Sequence, residues 1–265
     1  MDSPPRDTMT QPTAATQAVF ALLAGPAMAD EAVAALMRRM GLQPEATGPG
    51  VLPLRLALGP MRATLDRAGP AMLDFADPAD RATSSLGISL PEDWHRKGAC
   101  WTVELGEADG IADAPSPPLA DYLKLFVLLI DAFDAAQIFW SPARLWTGAL
   151  QFRGAIAEMQ ESGMPPVLHL IAFRRRDDAA GECVATRGLA AFAGQELEAP
   201  VPPGWDMAAM VKRLARLALD MMLNGAVTRA QQGPGLERGE SVALTPQPGD
   251  GGRPATVLVE FSADR

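Results

Sequence analysis

The sequence predicts an α+β protein, in which a mixed, largely antiparallel sheet packs against two long helices with apolar faces. Short apolar runs typical of strands recur along the chain, and a charged turn containing Gly181 separates two of them, which predicts a β-hairpin. Two longer segments, 119–133 and 205–223, have apolar residues at helical spacing instead. With 48% hydrophobic and 21% charged residues, a chain of 265 residues is long enough to bury a sizeable core.

Composition also predicts how the chain divides. Residues 1–16 are rich in Pro and Thr and predict a disordered N-terminal tail, so we expect residues 17–265 to form a single α+β domain. A linker rich in Pro, Asp and Gly ends at Pro118 and would allow two lobes to meet near 106–118. Because the tail contains no apolar stretch of the kind found in secretory signals, we expect a cytoplasmic protein.

The first elements predict a small mixed sheet with a helix on one face. We expect a strand, a helix and two further strands at residues 18–24, 30–40, 51–58 and 61–65. Asp30 is expected to cap the helix, and Gly41 is expected to end it. Pro53 cannot donate a ladder hydrogen bond, which places its strand at an edge or places the proline at the strand start.

The middle of the chain predicts further alternation of strands and helices. Between residues 67 and 97 the pattern is weak, with one short helix expected around Trp94. The elements expected after it are a strand, a helix, a strand and a helix at residues 99–105, 119–133, 137–140 and 147–161. Ser141 and Pro142 predict a capped turn after the second strand. Residues 119–133 are apolar nearly all round, which predicts burial.

A hairpin between residues 167 and 186 is the centre of the predicted fold. The apolar run 167–173 predicts a strand, the charged run 174–178 predicts the turn, and residues 182–186 predict the returning strand. Gly188 interrupts this pattern where a bulge or a close backbone approach is expected. One helical turn should follow at 189–192.

The remaining elements close the predicted fold. They are a strand around residue 197, a helix at 205–223 and strands at 241–244 and 255–261. Strand side chains repeat every two residues, so Glu196 and Glu198 should share one face. In the helix, Lys212, Arg213 and Arg216 should lie opposite the apolar face.

The segments TRGLAAFAGQELE and AQIFWSPARLW, together with the hairpin, resemble the bacterial family catalogued as domain of unknown function 4261. In that family an aromatic-rich strand precedes a strand ending in Thr-x-Gly-Leu/Met, a Phe-Gly pair and a Glu-x-Glu-like end. This chain departs from the pattern at Ala193, where the glycine of Phe-Gly is expected and Gly194 follows one position late. The likeness extends from about Ala18 to Phe261 and is strongest over 136–199. It implies a bacterial, single α+β domain without a settled activity, and therefore transfers no catalytic residue.

Charge and motifs disfavour several classes of function. A formal net charge of −9 and a pI near 4.8 disfavour binding to nucleic acids and to anionic membranes. Apart from the first predicted strand, the strongest apolar run is 125–130, which is far shorter than the ~20 residues of a membrane span. Phosphate-binding loops and serine-hydrolase elbows do not occur in the sequence, so we expect no cofactor. Cys100 and Cys183 lie far apart, which favours buried free thiols over a disulfide.

The candidate catalytic residues are Glu196, Glu198 and His169. Two carboxylates on one strand face lie about 6–7 Å apart, near the spacing that glycosidases use. A histidine facing the same side would add a metal ligand or an acid–base partner. The alternatives are a solvated pair of carboxylates and a hydrogen-bonded histidine within the apolar strand. With so few ligands in the chain, we expect no metal site.

The candidate interaction residues are Arg174, Arg175, Arg176, Trp140 and Trp146. Arginine and tryptophan are favoured at interface hot spots. The alternatives are a solvated hairpin tip for the arginines and a core position for the tryptophans.

These observations favour a non-enzymatic module that binds a protein partner, of an accessory or immunity-like kind. Two further hypotheses stay open, namely a hydrolase or metal-dependent enzyme using the three candidate catalytic residues, and a small-molecule binding domain.

Overall fold

The computed structural model describes residues 19–58, 61–96, 99–106, 119–178, 181–250 and 252–263. The predicted tail and nearly all of the predicted linker lie outside these ranges. Within them, the helices are α1 (Asp30–Arg39), α2 (Pro70–Phe75), α3 (Leu119–Phe133), α4 (Ala149–Ser162), α5 (Val167–Leu170), α6 (Ala190–Ala193) and α7 (Met207–Asn224). The first eight strands are β1 (Phe20–Ala24), β2 (Gln43–Ala46), β3 (Leu54–Leu58), β4 (Met61–Arg67), β5 (Ser84–Leu86), β6 (Cys100–Gly106), β7 (Gln137–Trp140) and β8 (Leu145–Gly148). The other six are β9 (Ala172–Asp178), β10 (Gly181–Arg187), β11 (Gln195–Pro200), β12 (Gln231–Pro234), β13 (Glu240–Gln247) and β14 (Ala255–Ala263).

The strands form two mixed, largely antiparallel sheets, which confirms the α+β class. The first sheet has the order β2-β3-β4-β6-β1-β7-β8-β5, and its only parallel pair is β5 with β8 among the described strands. The second has the order β12-β13-β14-β11-β10-β9, with β11 and β14 parallel. The single sheet that we expected is therefore two sheets, each built from a continuous part of the chain.

Both faces of the first sheet are covered. Side chains alternate along β1, so that Ala21 and Leu23 belong to the main core, whereas Phe20 and Leu22 pack in a second, smaller cluster with Trp146. The main core also contains residues of the second sheet, such as Val184 and Val259. The helix α3 contributes to this core through its buried residues Leu123, Leu125, Phe126, Leu129, Ile130 and Phe133.

The helix α7 covers the second sheet and is tied to it by a buried ion pair. Asp206 caps the helix by accepting a hydrogen bond from the Ala209 N–H at 2.8 Å. Arg213 is 6% exposed, its guanidinium lies over the Trp205 ring at 4.0 Å, and it pairs with Glu240 of β13. The prediction that Arg213 lies on the solvent face is therefore wrong, because the carboxylate of a distant strand satisfies its charge inside the protein.

The expected strand at 167–173 is also wrong. Residues 167–170 form the short helix α5, which the Ile171 N–H closes on the Val167 carbonyl at 2.8 Å, and the strand begins only at Ala172. A short apolar run after two prolines fits either structure, since its length is too small for a period to decide. As a result, the charged run 174–178 belongs to β9 instead of a turn.

Other differences lie at the ends of elements and in short elements. Ala29 occupies the N-cap of α1, while the Asp30 carboxylate accepts a hydrogen bond from the Arg67 Nε at 2.8 Å. Residues 145–148 form β8, which pairs with β7, so α4 begins at Ala149 instead of residue 147. The segment around Trp94 forms turns. The short elements β2, α2, β5 and β12 were not predicted from the sequence.

Candidate functional site beside the edge strand β9

The strand β9 forms one edge of the second sheet. It pairs antiparallel with β10, with Arg175 opposite Val184. Among the described residues, no backbone–backbone hydrogen bond joins β9 to any segment other than β10. One side of this seven-residue strand therefore offers its N–H and C=O groups for pairing.

Three consecutive arginines occupy this edge and alternate between the two faces of the sheet. Arg175 is exposed and pairs with Glu182 of β10 at 2.6 Å. Arg176 is also exposed and pairs with Glu198 of β11 at 2.6 Å. Arg174 is half-buried and donates a hydrogen bond from Nη2 to the Arg81 carbonyl at 2.7 Å.

A groove of about 980 Å³ lies on the face of the sheet that carries Arg174 and Arg176. Its walls come from β9, β10, β11, the first turn of α6 and the loop between β13 and β14. The charged residues that line it are Arg174, Arg176, Asp177, Arg187, Glu196, Glu198, Asp250 and Arg253. Both predicted carboxylates thus face the same cleft, although each is engaged in its own contact.

Glu196 holds the loop between β10 and α6. Its Oε1 accepts hydrogen bonds from the N–H groups of Gly188 at 2.7 Å and Ala190 at 3.1 Å. Its Oε2 accepts from the Thr186 hydroxyl at 2.7 Å and from the Leu189 N–H at 3.2 Å. A carboxylate has about four lone-pair positions, and these four donors fill them. The arrangement makes Glu196 a structural residue, with no free oxygen lone pair for acid–base work.

Gly188 is the point where this loop passes closest to the first sheet. Its φ is +101°, and a Cβ placed there would lie 2.9 Å from the Ala143 Cβ and 2.9 Å from the Leu170 carbonyl oxygen. The expected close backbone approach at Gly188 is therefore confirmed, because a side chain has no room at this position.

His169 lies apart from the two glutamates. It belongs to α5 instead of the expected strand, and its Nδ1 is 3.0 Å from the Thr147 Oγ1. The Phe152 ring packs edge-on against the imidazole, and burial lowers the pKa of His169. His169 does not line the groove that contains Glu196 and Glu198. In the described part of the chain, no three His, Cys, Asp or Glu residues are placed to share a metal ion.

Trp140 and Trp146 are core residues. They are 2% and 0% exposed, and Trp146 donates a hydrogen bond from Nε1 to the Ala76 carbonyl at 2.7 Å. Trp140 stacks on Phe192 of α6 at 6.4 Å between ring centroids. Of the five candidate interaction residues, only the arginines reach the surface in this structure.

A cluster of arginines that the sequence did not predict fastens residues 80–83 to the turn between β7 and β8 and to the second sheet. Arg144 is 8% exposed and donates to Asp80 Oδ2 at 2.5 Å and to Thr83 Oγ1 at 3.1 Å. Arg187 donates to the Ala82 carbonyl at 3.2 Å, beside the Arg174 contact with the neighbouring carbonyl. These contacts join residues 61 to 105 positions apart in the chain, so no local pattern could have shown them.

The charges in this cluster are unequally compensated. Burial, followed by the positive charges of Arg144 and Arg174, lowers the pKa of Arg187 to about 10. Hydrogen bonds from the Ala82 N–H and from Arg144 hold the pKa of Asp80 below its usual range. Asp80 thus compensates Arg144, whereas Arg187 has no carboxylate at ion-pair distance among the described residues.

Both cysteines are free and buried, which confirms the expected thiols. Cys100 Sγ donates to the Trp94 carbonyl at 3.1 Å, and burial raises the pKa of Cys100 to about 11. Cys183 lies on β10 with its Sγ 4.0 Å from Glu198 Oε1.

Neither models of known protein families, nor curated proteins, nor solved structures match this chain. The resemblance to domain of unknown function 4261 therefore stays a prediction. Among the helices of the described residues, none is both long and apolar enough to cross a membrane.

Proposed function

We propose that this protein is a non-enzymatic interaction module that binds a protein partner by strand addition at β9. The observation that supports the proposal is the edge of the second sheet, where an unpaired side of β9 coincides with three consecutive arginines. The partner supplies an extended, acidic segment. An accessory or immunity-like role in the bacterial cytoplasm fits such a module.

Backbone pairing would provide the affinity. An extended peptide that adds to an open sheet edge makes a ladder of main-chain hydrogen bonds, and its alternate side chains contact the two faces of the sheet. Of the seven residues of β9, every second one turns its backbone groups outward, and each of these can exchange two such bonds with an antiparallel strand. No catalytic group is needed for this activity.

Charge would determine which partner segments bind. The chain as a whole has a formal net charge of −9, which disfavours acidic partners in general. Arg175 and Arg176 are exposed, and among the described residues each pairs with one carboxylate, while Arg176 also contacts the Cys183 side chain. Each guanidinium has five N–H groups, which is more than these contacts use, so donors are available for the oxygens of an incoming segment. Complementary charge of this kind raises the association rate and fixes the register.

The hydrolase hypothesis receives no comparable support. Four hydrogen bonds occupy Glu196, Arg176 engages Glu198, and His169 lies outside the groove. A general acid–base pair needs two groups that can reach one substrate atom, and these three side chains are committed to separate contacts.

The proposal is tested by capture from a lysate of the source cells with three immobilised full-length baits. These are the wild type, Arg175→Glu/Arg176→Glu, and the matched control Arg216→Glu/Arg229→Glu, whose exposed arginines lie away from β9. We expect the wild type and the control to retain the same protein and the β9 variant to lose it. Raised salt should weaken the retention, since screening weakens exposed charge pairs. Equal retention by all three baits, or no specific retention by the wild type, would overturn the proposal.

A further inference from the structure

A small cavity of about 150 Å³ lies beside Arg187, between the first sheet and α6. Its walls are mostly apolar and include Val19, Phe20, Phe75 and Ala191. Of the described residues that line it, two bear polar side chains, namely Arg187 and Ser141. The cavity thus combines an apolar lining with two side chains that can donate hydrogen bonds.

The guanidinium of Arg187 uses one of its donors within the described part of the chain. It donates one hydrogen bond there, from Nη1 to the Ala82 carbonyl, out of the five N–H groups that an arginine has. The side chain is partly buried, and in the described part of the chain no carboxylate pairs with it. A partly buried cation in this position is stabilised by an anion at hydrogen-bonding distance.

Ser141 supplies the second donor. It is 6% exposed, and its Oγ accepts a hydrogen bond from the Phe20 N–H at 2.9 Å. The hydroxyl proton has no acceptor among the described residues, so it is available to a group inside the cavity. Because Ser141 and Arg187 line the same small space, their donors can meet on one ligand group.

We propose that this cavity binds a small aliphatic carboxylate, whose oxygens accept hydrogen bonds from Arg187 and Ser141 and whose tail packs against the apolar walls. The number of donors fits a singly charged carboxylate, because a phosphate has four oxygens and the apolar walls would leave some of them unsolvated. The volume corresponds to roughly five water-sized groups, which is the size of propionate or butyrate. The same chemistry occurs at the C-terminus of a peptide.

This site does not depend on the proposed partner at β9. The carboxylate site uses Arg187 and Ser141, whereas the strand-addition surface uses the backbone edge and the exposed arginines of β9. Either proposal can fail while the other holds.

The test is a calorimetric titration of the full chain with sodium propionate and sodium butyrate, with sodium chloride at equal ionic strength as the blank. Inorganic phosphate is the second anion. A tripeptide ending in alanine, with a free or an amidated C-terminus, separates a peptide source from a free acid. We expect saturable binding of the short acids and a melting temperature that rises with their concentration.

Three variants locate the binding. Arg187→Gln removes the cation and should weaken propionate binding at least about tenfold, since hydrogen bonds to charged groups are the strong ones. Arg174→Gln changes the neighbouring guanidinium, which lines the groove but not the cavity, and should change affinity less than about threefold. Ala191 is exposed at the rim of the cavity, so Ala191→Leu narrows the cavity while keeping Arg187 and should weaken binding even if Arg187→Gln does not fold.

Absence of saturable propionate binding by the wild type would overturn the proposal. The proposal would also be overturned if phosphate bound as tightly as propionate, or if Ala191→Leu bound propionate with the affinity of the wild type. Binding of the free-acid tripeptide but not of its amide would support a peptide terminus as the natural source. Tighter binding of butyrate than of either tripeptide would support a free short-chain acid as the natural ligand.

Discussion

Replacing Glu196 with Gln tests the conclusion that this carboxylate is structural. The substitution keeps the size of the side chain and one carbonyl oxygen, which can still accept from the Gly188 and Ala190 N–H groups. The other oxygen becomes an NH₂ group that faces the Thr186 hydroxyl and the Leu189 N–H, two groups that donate to Glu196 in the wild type. The Leu189 N–H then loses its acceptor, whereas the Thr186 hydroxyl keeps only the Leu197 carbonyl oxygen at 3.4 Å.

The expected cost follows mainly from the Leu189 N–H, which is left without an acceptor. An unsatisfied donor costs about 1–3 kcal/mol, and the weakened hydrogen bond of Thr186 adds to this cost. Glu196→Gln should therefore lower the free energy of unfolding by about 1–3 kcal/mol. Urea unfolding measures the loss as a lower midpoint at an unchanged m-value.

The matched control is Glu198→Gln, which makes the same chemical change two residues along the same strand face. Glu198 pairs with Arg176, and the two side chains are 32% and 49% exposed. Breaking such a pair should cost about 0–1 kcal/mol. Equal losses in the two variants, or a loss below about 0.5 kcal/mol in Glu196→Gln, would refute the assignment of Glu196 as the anchor of the β10–α6 loop.

Three further predictions follow from the described contacts. Gly188→Ala should destabilise the protein by more than about 2 kcal/mol, because its Cβ meets backbone and side-chain atoms at 2.9 Å. Gly204→Ala has a positive φ but open space and should cost only about 1–2 kcal/mol in urea unfolding, so equal costs would contradict the steric argument. Burial lowers the folded-state pKa of His169, so the neutral imidazole is the form that favours the folded protein. Its contribution to the free energy of unfolding should be complete above pH ~6.5 and should decline as the pH falls towards the folded pKa. Urea unfolding between pH 5 and 8 should show this decline in the wild type and in the exposed control His95→Gln but not in His169→Gln, and three identical profiles would contradict it. Finally, Cys100 should resist alkylation at pH 8 until the protein unfolds, because its raised pKa and burial suppress the thiolate. Labelling of Cys100 in the native protein, identified by peptide mass, would contradict that prediction.

Where apolar periodicity is long enough, the sequence predicts the elements well. The helix at 119–133 and the strand at 137–140 have those bounds in the structure, because each has a clear pattern and clear ends. The hairpin at 167–186 was only partly predicted, since its first four residues form a helix. The pairing of residues 182–186 with the preceding strand is confirmed.

The candidate site was less predictable, because its chemistry depends on contacts between distant residues. Spacing correctly predicted that Glu196 and Glu198 share one face of the strand, and in the structure that face lines the groove. It could not show that the N–H groups after Gly188 turn back onto Glu196, or that Arg187 reaches the loop at Ala82. The division into two sheets was also beyond local patterns, since strand order is set by pairing across the whole chain.

The central claim, that the edge of β9 accepts an acidic strand, is tested most directly by amide hydrogen exchange. The probe is a synthetic heptapeptide of alternating Glu and Val, added to the full chain and followed by NMR. We predict that the outward-facing amides of residues 172–178 exchange at least about tenfold more slowly with peptide, and that Arg175→Glu/Arg176→Glu loses this protection. Residues 231–234 of β12, at the opposite edge of the same sheet and without arginine, should not respond. Unchanged exchange in β9, or equal protection at both edges, would contradict the claim.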